Sequence, residues 1–393
     1  MKSKFGKVGG LGLVLLLMVG VFVSACGGGG GNNNSNNNGN TITNEPIDPL
    51  PATSFLYIKY PSSNSVGHVY AYDTVKKESK LITDLDNKTE TPQISISPDR
   101  KWFAMRAAFR RNETDLQQGI SIPALWVVSV DGKQFRRVTE PILNPNLKGA
   151  ECTVDSQCPS TGHCNTAIGK CGLRNYSIGI GTPRWTNDGK TLWTNYSTYW
   201  SEGTKITGGS VFASVPVSGG VLDIATSSSG CQQVTHVAVH PKENKLYGIH
   251  TVCTGGKEGI HSYDIPPTNG TQLFFQENVS VALGTLVMVP DGSGMLFLAN
   301  TAWDTNNDKQ PDISGIGIAG YDFKEKTLGA ILPPLKTGLA YTDMTISPDG
   351  SKLAICIFDS GASKNNIYLL DFTNKENPFQ PLIEDGQSCA PAW

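Results

Sequence analysis

What this chain has little of narrows its reading first. Charged residues make up only 17% of its 393 residues, and the formal net charge is -2. Lysine and arginine are scattered, with no more than the pairs Arg110-Arg111 and Arg136-Arg137. Without a basic patch there is no electrostatic footprint for nucleic acid, and no such partner is expected. No run of apolar residues at three- and four-residue spacing lasts beyond two turns, which argues against helices. The sequence holds no Gly-x-Ser-x-Gly elbow, no His-Glu-x-x-His pair and no phosphate loop, so the common hydrolase, metalloprotease and nucleotide signatures are missing. Long hydrophobic runs are also scarce. The one that stands out, Leu11 to Val23, is too short for a spanning helix.

That run is part of a leader. Lys2, Lys4 and Lys7 precede it, and Val23-Ser24-Ala25-Cys26 ends it. Small residues before a cysteine at this position resemble the lipobox of bacterial lipoproteins. The resemblance implies cleavage after residue 25 and lipidation of Cys26. Stable anchoring takes more than one acyl chain, at about 0.8 kcal/mol per buried methylene, and a tri-acylated cysteine would supply it. Gly27 follows where an Asp often retains such proteins at the inner membrane, so the outer membrane is expected. Residues 26–51 begin as a run of Gly and Asn with nothing to bury and are read as a tether.

What remains, residues 52–393, is rich in turns and repeats a phrase. It reads Ser97-Pro98-Asp99, Thr186-Asn187-Asp188-Gly189, His240-Pro241-Lys242, Pro290-Asp291-Gly292 and Ser347-Pro348-Asp349-Gly350. Each copy lies between two apolar runs. Pro presets φ, Asp caps the turn and Gly accepts positive φ, so the phrase is a tight turn between strands. Strands ending in Asp follow at Tyr72-Asp73, Val130-Asp131, Tyr263-Asp264, Tyr321-Asp322 and Leu370-Asp371, each with one further short strand. Four-stranded units recurring near fifty residues indicate a β-propeller. The chain ends on a strand with no turn after it, Ala390 to Trp393, and the domain opens on Phe55–Tyr60 with no strand before it. The last strand therefore completes the first blade, and the expected fold is an all-β, six-bladed propeller whose ring is closed by the C-terminal strand.

These repeats resemble TolB-type propellers. The match is best over Ile346-Ser347-Pro348-Asp349-Gly350-Ser351-Lys352-Leu353-Ala354 and the strand Tyr368 to Asp371. Blade 3 departs from the pattern by lacking the strand-end Asp, and blade 4 by its His240-Pro241-Lys242.

In such a blade the tight turns share one face and the longer loops share the other. Long segments fall on the second face: 107–123, 195–209, 301–314 and an insertion at 140–180. Loops on a rigid scaffold are where function concentrates. Arg110, Arg111, Tyr199, Trp200 and Trp303 are of the types that anchor interfaces. Alignment of the first strands places Gln93, Thr182, His236, Thr285, Asp343 and Ala390 around the channel mouth. This ring either binds a small ligand or peptide end, or lines a wet channel.

Nine cysteines less Cys26 leave eight, which suits an exported, disulfide-bonded chain. Cys152, Cys158, Cys164 and Cys171 lie in the insertion, with five, five and six residues between them. The segment is too short to bury a core and resembles Dickkopf-like modules. Zinc is the rival reading, though zinc sites usually show closer pairs. Three pairings are open. Cys231 and Cys253 flank the blade 4 hairpin symmetrically and should bond. Cys356 and Cys389 are left to each other and would fasten the ring.

Asp304, Asn306, Asp308 and Asp312 set oxygen ligands at near-alternate positions, as calcium requires. Lys309 stands where a calcium loop wants Gly, so a plain polar loop is the other reading. Four histidines, His236, His240, His250 and His261, lie in blade 4. Strand parity puts His236, His240 and His250 on one face, with His240 roughly 13 Å from His236 by the strand rise. Some TolB-like propellers are lyases with a histidine metal site. The resemblance thus implies an alternative, a metal-dependent lyase or hydrolase acting on a carbohydrate near His236 and His250. The leading expectation is a monomeric, lipid-anchored envelope protein whose propeller binds another envelope protein or a peptide without catalysis.

Overall fold

The computed structural model describes residues 43, 45–60, 67–83, 93–109, 122–139, 152–157, 162–165, 170–173, 177–202, 205–225, 231–253, 259–267, 271–274, 280–303 and 313–393. Cys26, Cys158, Arg110, Arg111 and the loop of Asp304, Asn306, Asp308 and Asp312 lie outside them. So do the leader and most of the tether. Among the described residues nearly all regular structure is antiparallel strand, with one 3-10 turn at Asp155–Gln157.

Six sheets form the ring. In blade 1, Ser388–Ala392 pairs with Ser54–Lys59, followed by His68–Asp73 and Glu78–Thr83. Blade 2 runs Ile94–Ile96, Trp102–Phe109, Ile122–Ser129, Phe135–Arg137. Blade 3 has a divided inner strand, Ser177–Ile180 and Arg184–Trp185, both paired with Thr191–Glu202, then Lys205–Pro216 and Asp223–Ile224. Blade 4 runs Cys231–Val239, Lys245–Cys253, Gly259–Asp264, Thr271–Phe274. Blade 5 runs Ser280–Met288, Gly294–Trp303, Ile313–Asp322, Thr327–Leu332, and blade 6 Leu339–Ile346, Lys352–Asp359, Lys364–Asp371, Phe379–Ile383. The six-bladed ring and its closure by the last strand are therefore as expected.

The core lies between blades, not within one. Side chains alternate across a strand, so each second strand feeds two neighbours. Phe103 packs with Leu56 and Ile58 of blade 1, while Ala104 packs with Leu192 and Val215 of blade 3. Leu353 joins Leu296 and Leu298 of blade 5, and Ala354 joins Phe55 and Tyr57 of blade 1. Burial on both faces explains why Leu353-Ala354-Ile355-Cys356-Ile357 is apolar without interruption.

The repeated phrase folds as its chemistry requires. Ser97 and Ser347 donate their hydroxyls to Asp99 and Asp349 at 2.6 and 2.5 Å, and Thr186 does the same to Asp188 at 2.6 Å. In blade 4, His240 takes over the cap. Its Nδ1 accepts the backbone N–H groups of Lys242 and Glu243, which leaves Nε2 to donate to the Gly292 carbonyl of blade 5 at 3.2 Å.

In blade 2 the last position of the phrase is not Gly but Arg100, held at φ 59°. Its guanidinium reaches the incoming chain, donating to the carbonyls of Leu50 (2.8 Å), Pro51 (2.8 Å) and Ser54 (2.7 Å). Gln134, in the outer turn of the same blade, exchanges hydrogen bonds with the backbone of Thr43 and Glu45. Thr43 and residues 45–54 are thereby held along the turn face.

Three readings are corrected. Residues 195–209 are not a loop: Thr191–Glu202 and Lys205–Pro216 continue as one hairpin through Glu202↔Lys205. The insertion ends before residue 180, because Ser177–Ile180 pairs with Tyr196–Tyr199 as part of blade 3. The blade 4 hairpin does not keep one register. Cys231 faces Cys253 and Val234 faces His250, but a bulge shifts the pairing so that His236 faces Ile249. In the insertion Cys152 bonds Cys164 with Cα atoms 5.8 Å apart, which selects one of the three pairings. Cys171 lies on the strand Lys170–Leu173.

Candidate functional site

The inner strands line the ring axis, and several break register at the same height. The shifts lie between Val234 and His236 in blade 4, Val281 and Leu286 in blade 5, and Tyr341 and Asp343 in blade 6. In blade 3 the inner strand is interrupted between Ile180 and Arg184. A bulge adds a residue, bends its strand and re-aims the side chains next to it. Thr235 and Thr342 are the extra residues. Their hydroxyls turn to strand carbonyls, Ile249 and Cys356, at 3.4 Å each. In blade 3 Thr194 bonds the Gly181 carbonyl at 3.0 Å. The residues that follow the two bulge threonines, His236 and Asp343, line the channel.

The channel has two chambers. The wider, about 420 Å³, holds Gln93, Thr182, Arg184, Thr285 and Asp343 at its inner end and reaches Pro98, Pro241, Pro290 and Pro348 at the turn face. The narrower, about 210 Å³, is lined by Arg106, Asn195, Ser197, Thr235 and His236. Gln93, Thr182 and Arg184 belong to both and form the waist. Of the ring expected at the channel mouth, Gln93, Thr182, Thr285 and Asp343 line the wide chamber and His236 the narrow one, inside the channel and not at its mouth. Ala390, its sixth expected member, is buried and does not line the cavity. Having no polar group, it could offer only shape there.

Two arginines complete the site and were missed from sequence. Arg106 donates to the Ile180 carbonyl at 2.7 Å, and the Arg184 Nε donates to the Val237 carbonyl at 3.2 Å. The available signal was Pro183-Arg184-Trp185: a cation on the innermost strand, where the neighbouring repeats carry Ser95, Ala238, Val287 or Thr345.

Burial sets the electrostatics. Asp343 is raised above the usual carboxylate range by desolvation, against which the Thr285 hydroxyl, Arg184 and the Met344 N–H act. Both hydrogen bonds fall on Oδ1. Arg184 is lowered by the same desolvation and held up by Asp343. Burial, with the charge of Arg184 nearby, pushes His236 down to about 4, so it is neutral near pH 7.

His250 belongs elsewhere. The register shift that aligns His236 with Ile249 puts His250 on the opposite side of the sheet, against Phe212 of blade 3. Its Nε2 is 2.7 Å from the Tyr263 hydroxyl and its ring centroid 4.5 Å from that of His261. Burial lowers it to about 3. The shared face expected of His236 and His250 is not built, because the bulge at Thr235 inverts the parity between them. Among the described residues no three His, Cys, Asp or Glu side chains are grouped to hold a metal ion. Tyr199, Trp200 and Trp303 lie near strand ends on the face away from the turns, opposite Gly208, Thr207 and Ile313.

No family model and no curated protein matches this chain. Solved structures do resemble it in outline. An oligogalacturonate lyase in complex with manganese is 12% identical over 86% of this chain and 73% of its own, with a TM-score of 0.46. An oligogalacturonate lyase from Vibrio parahaemolyticus is 12% identical over 85% and 80%, TM-score 0.45. A chain of a nidogen/laminin complex is 11% identical over 86% and 97%, TM-score 0.45. Likeness at this level is one of general architecture.

Proposed function

We propose that this protein is an envelope lipoprotein, anchored through Cys26, whose propeller is a non-catalytic binding module. Its long-loop face would engage another envelope protein or a peptide, and its channel would take the contacting end or a small ligand. The observation that carries this reading is the placement of Gln93, Arg184, His236, Thr285 and Asp343 along two adjoining chambers of one channel. The histidine pair of the enzyme reading is divided between two sides of a sheet.

The test is cross-linking in intact envelopes followed by purification of the full chain. A discrete adduct is expected. It should be lost when Tyr199, Trp200 and Trp303 are together changed to Ala, and the chain should leave the membrane fraction with Cys26→Ser. A triple variant that keeps every adduct of the parent overturns the binding-face reading.

A further inference from the structure

The strongest unexplained relationship in the molecule is between Arg184 and Asp343. They lie on the inner strands of blades 3 and 6, which stand opposite each other across a ring of six. Both line the same chamber. Both are part-buried at the cavity wall, burial shifts the ionisation of each, and no direct ion pair joins them. Arg184 commits only Nε, to the Val237 carbonyl, so its two terminal nitrogens make no hydrogen bond among the described residues. Asp343 commits only Oδ1, and Oδ2 makes none among the described residues. Here a guanidinium and a carboxyl group line one cavity, each with hydrogen-bonding atoms that no neighbour among the described residues takes up.

We infer that the channel binds a small zwitterion of the free α-amino-acid class, its carboxylate on the Arg184 guanidinium and its ammonium on the Asp343 carboxylate. The inference rests on the binding-module reading and names the ligand for its channel. A guanidinium fork suits a carboxylate and a carboxylate suits an ammonium, both as charge-assisted hydrogen bonds. The chamber, at about 420 Å³, falls in the range of small-molecule sites and is too narrow for a folded domain. Neutral groups at and beyond the waist, Gln93 and Thr182 and, in the narrow chamber, His236, can hydrogen-bond a ligand without competing for its charges. An uncharged sugar would leave both ions unanswered, and a simple anion would leave Asp343 so.

The test is thermal unfolding and calorimetric titration of the full chain in detergent against the common amino acids. Propionate, butylamine, inorganic phosphate and glucose serve as controls. At least one amino acid should bind at a single site and raise Tm. Propionate and butylamine should each bind at least roughly 10-fold more weakly, since each lacks one charge-assisted contact. Arg184→Gln and Asp343→Asn should each weaken the amino acid by roughly 10- to 100-fold. Failure of every amino acid to bind overturns the inference, as does propionate binding as tightly as the best of them. The panel needs no variant, so it decides the matter even if a substitution at the waist prevents folding. Amino-acid binding without a cross-linked partner would keep this inference and sink the partner reading. A partner without amino-acid binding would do the reverse.

Discussion

Cys356 and Cys389 are joined by a disulfide, with Cα atoms 5.2 Å apart. The first lies on blade 6 and the second on the strand that closes blade 1, so the bond crosses the seam where the ring's two ends meet. Beside it, Trp393 donates its indole N–H to the Ala52 carbonyl at 2.7 Å, and its ring lies 5.5 Å from that of Phe55.

Removing this bond should lower stability without changing the fold. Its sequence separation of 33 residues corresponds to about 3–4 kcal/mol of loop-closure entropy. Cys356→Ala with Cys389→Ala should shift the denaturant midpoint accordingly while circular dichroism stays that of an all-β protein. An unchanged midpoint would show that the seam is held by Trp393 and strand pairing alone.

Arg100→Gly restores the residue that the turns of blades 3, 5 and 6 use, and should nevertheless destabilise. Glycine relieves a positive φ worth about 1 kcal/mol. The substitution removes three hydrogen bonds from a charged donor, each worth about 1.5–3 kcal/mol where shielded. The loss should concentrate in residues 43–54. Limited proteolysis should cut there first, and Arg100→Lys should not rescue, since one ammonium cannot span the same three carbonyls.

Stability should fall as pH drops below 6.5. His236 and His250 are depressed from 6.5 to about 4 and about 3. A group whose folded pKa is depressed leaves the unfolded chain binding the extra proton, so stability is whole above 6.5 and erodes toward the folded values. The slope is at most about 1.4 kcal/mol per pH unit for each histidine. Urea denaturation at stepped pH measures it, and His236→Gln should flatten it. Further down, Asp349, lowered from 3.8 to about 2 by Ser347 and Ser351, adds a loss between those values as the turn caps protonate. A pH-independent midpoint between 7 and 4 would contradict the assigned neutrality of both rings.

Thr342→Val tests the bulge. The substitution keeps shape and deletes the hydroxyl that meets the Cys356 carbonyl. A loss of about 1 kcal/mol is expected. Because Asp343 is aimed by that bulge, ligand affinity should fall by more than the stability change alone accounts for. Equal effects would mean the bulge positions nothing.

The blade count was legible because the turn phrase is local chemistry: Pro, Asp and Gly state their backbone angles wherever they stand. The ring closure followed from two unmatched strands, at Phe55 and Ala390. What strand parity could not reveal was the bulge. A single extra residue at Thr235 inverts every side chain beyond it, so His236 and His250 looked like neighbours and are not. The Thr-His and Thr-Asp dipeptides at 235–236 and 342–343 were the visible trace of it, recurring at one position of the repeat. Arg184 was passed over because its neighbours, Pro183 and Trp185, read so clearly as the approach to a turn.

The grip of Arg100 on residues 50–54 fixes the side on which the chain joins the propeller. The chain leaves the propeller beside the turns, and Thr43 is only 17 residues from Cys26. At no more than about 3.5 Å per residue, that leash spans at most about 60 Å. The wide mouth of the channel opens on the side where the chain enters, and the long loops lie on the other. A solute entering from the long-loop side meets the narrow chamber first, with the Arg184 waist standing between it and the wide chamber behind.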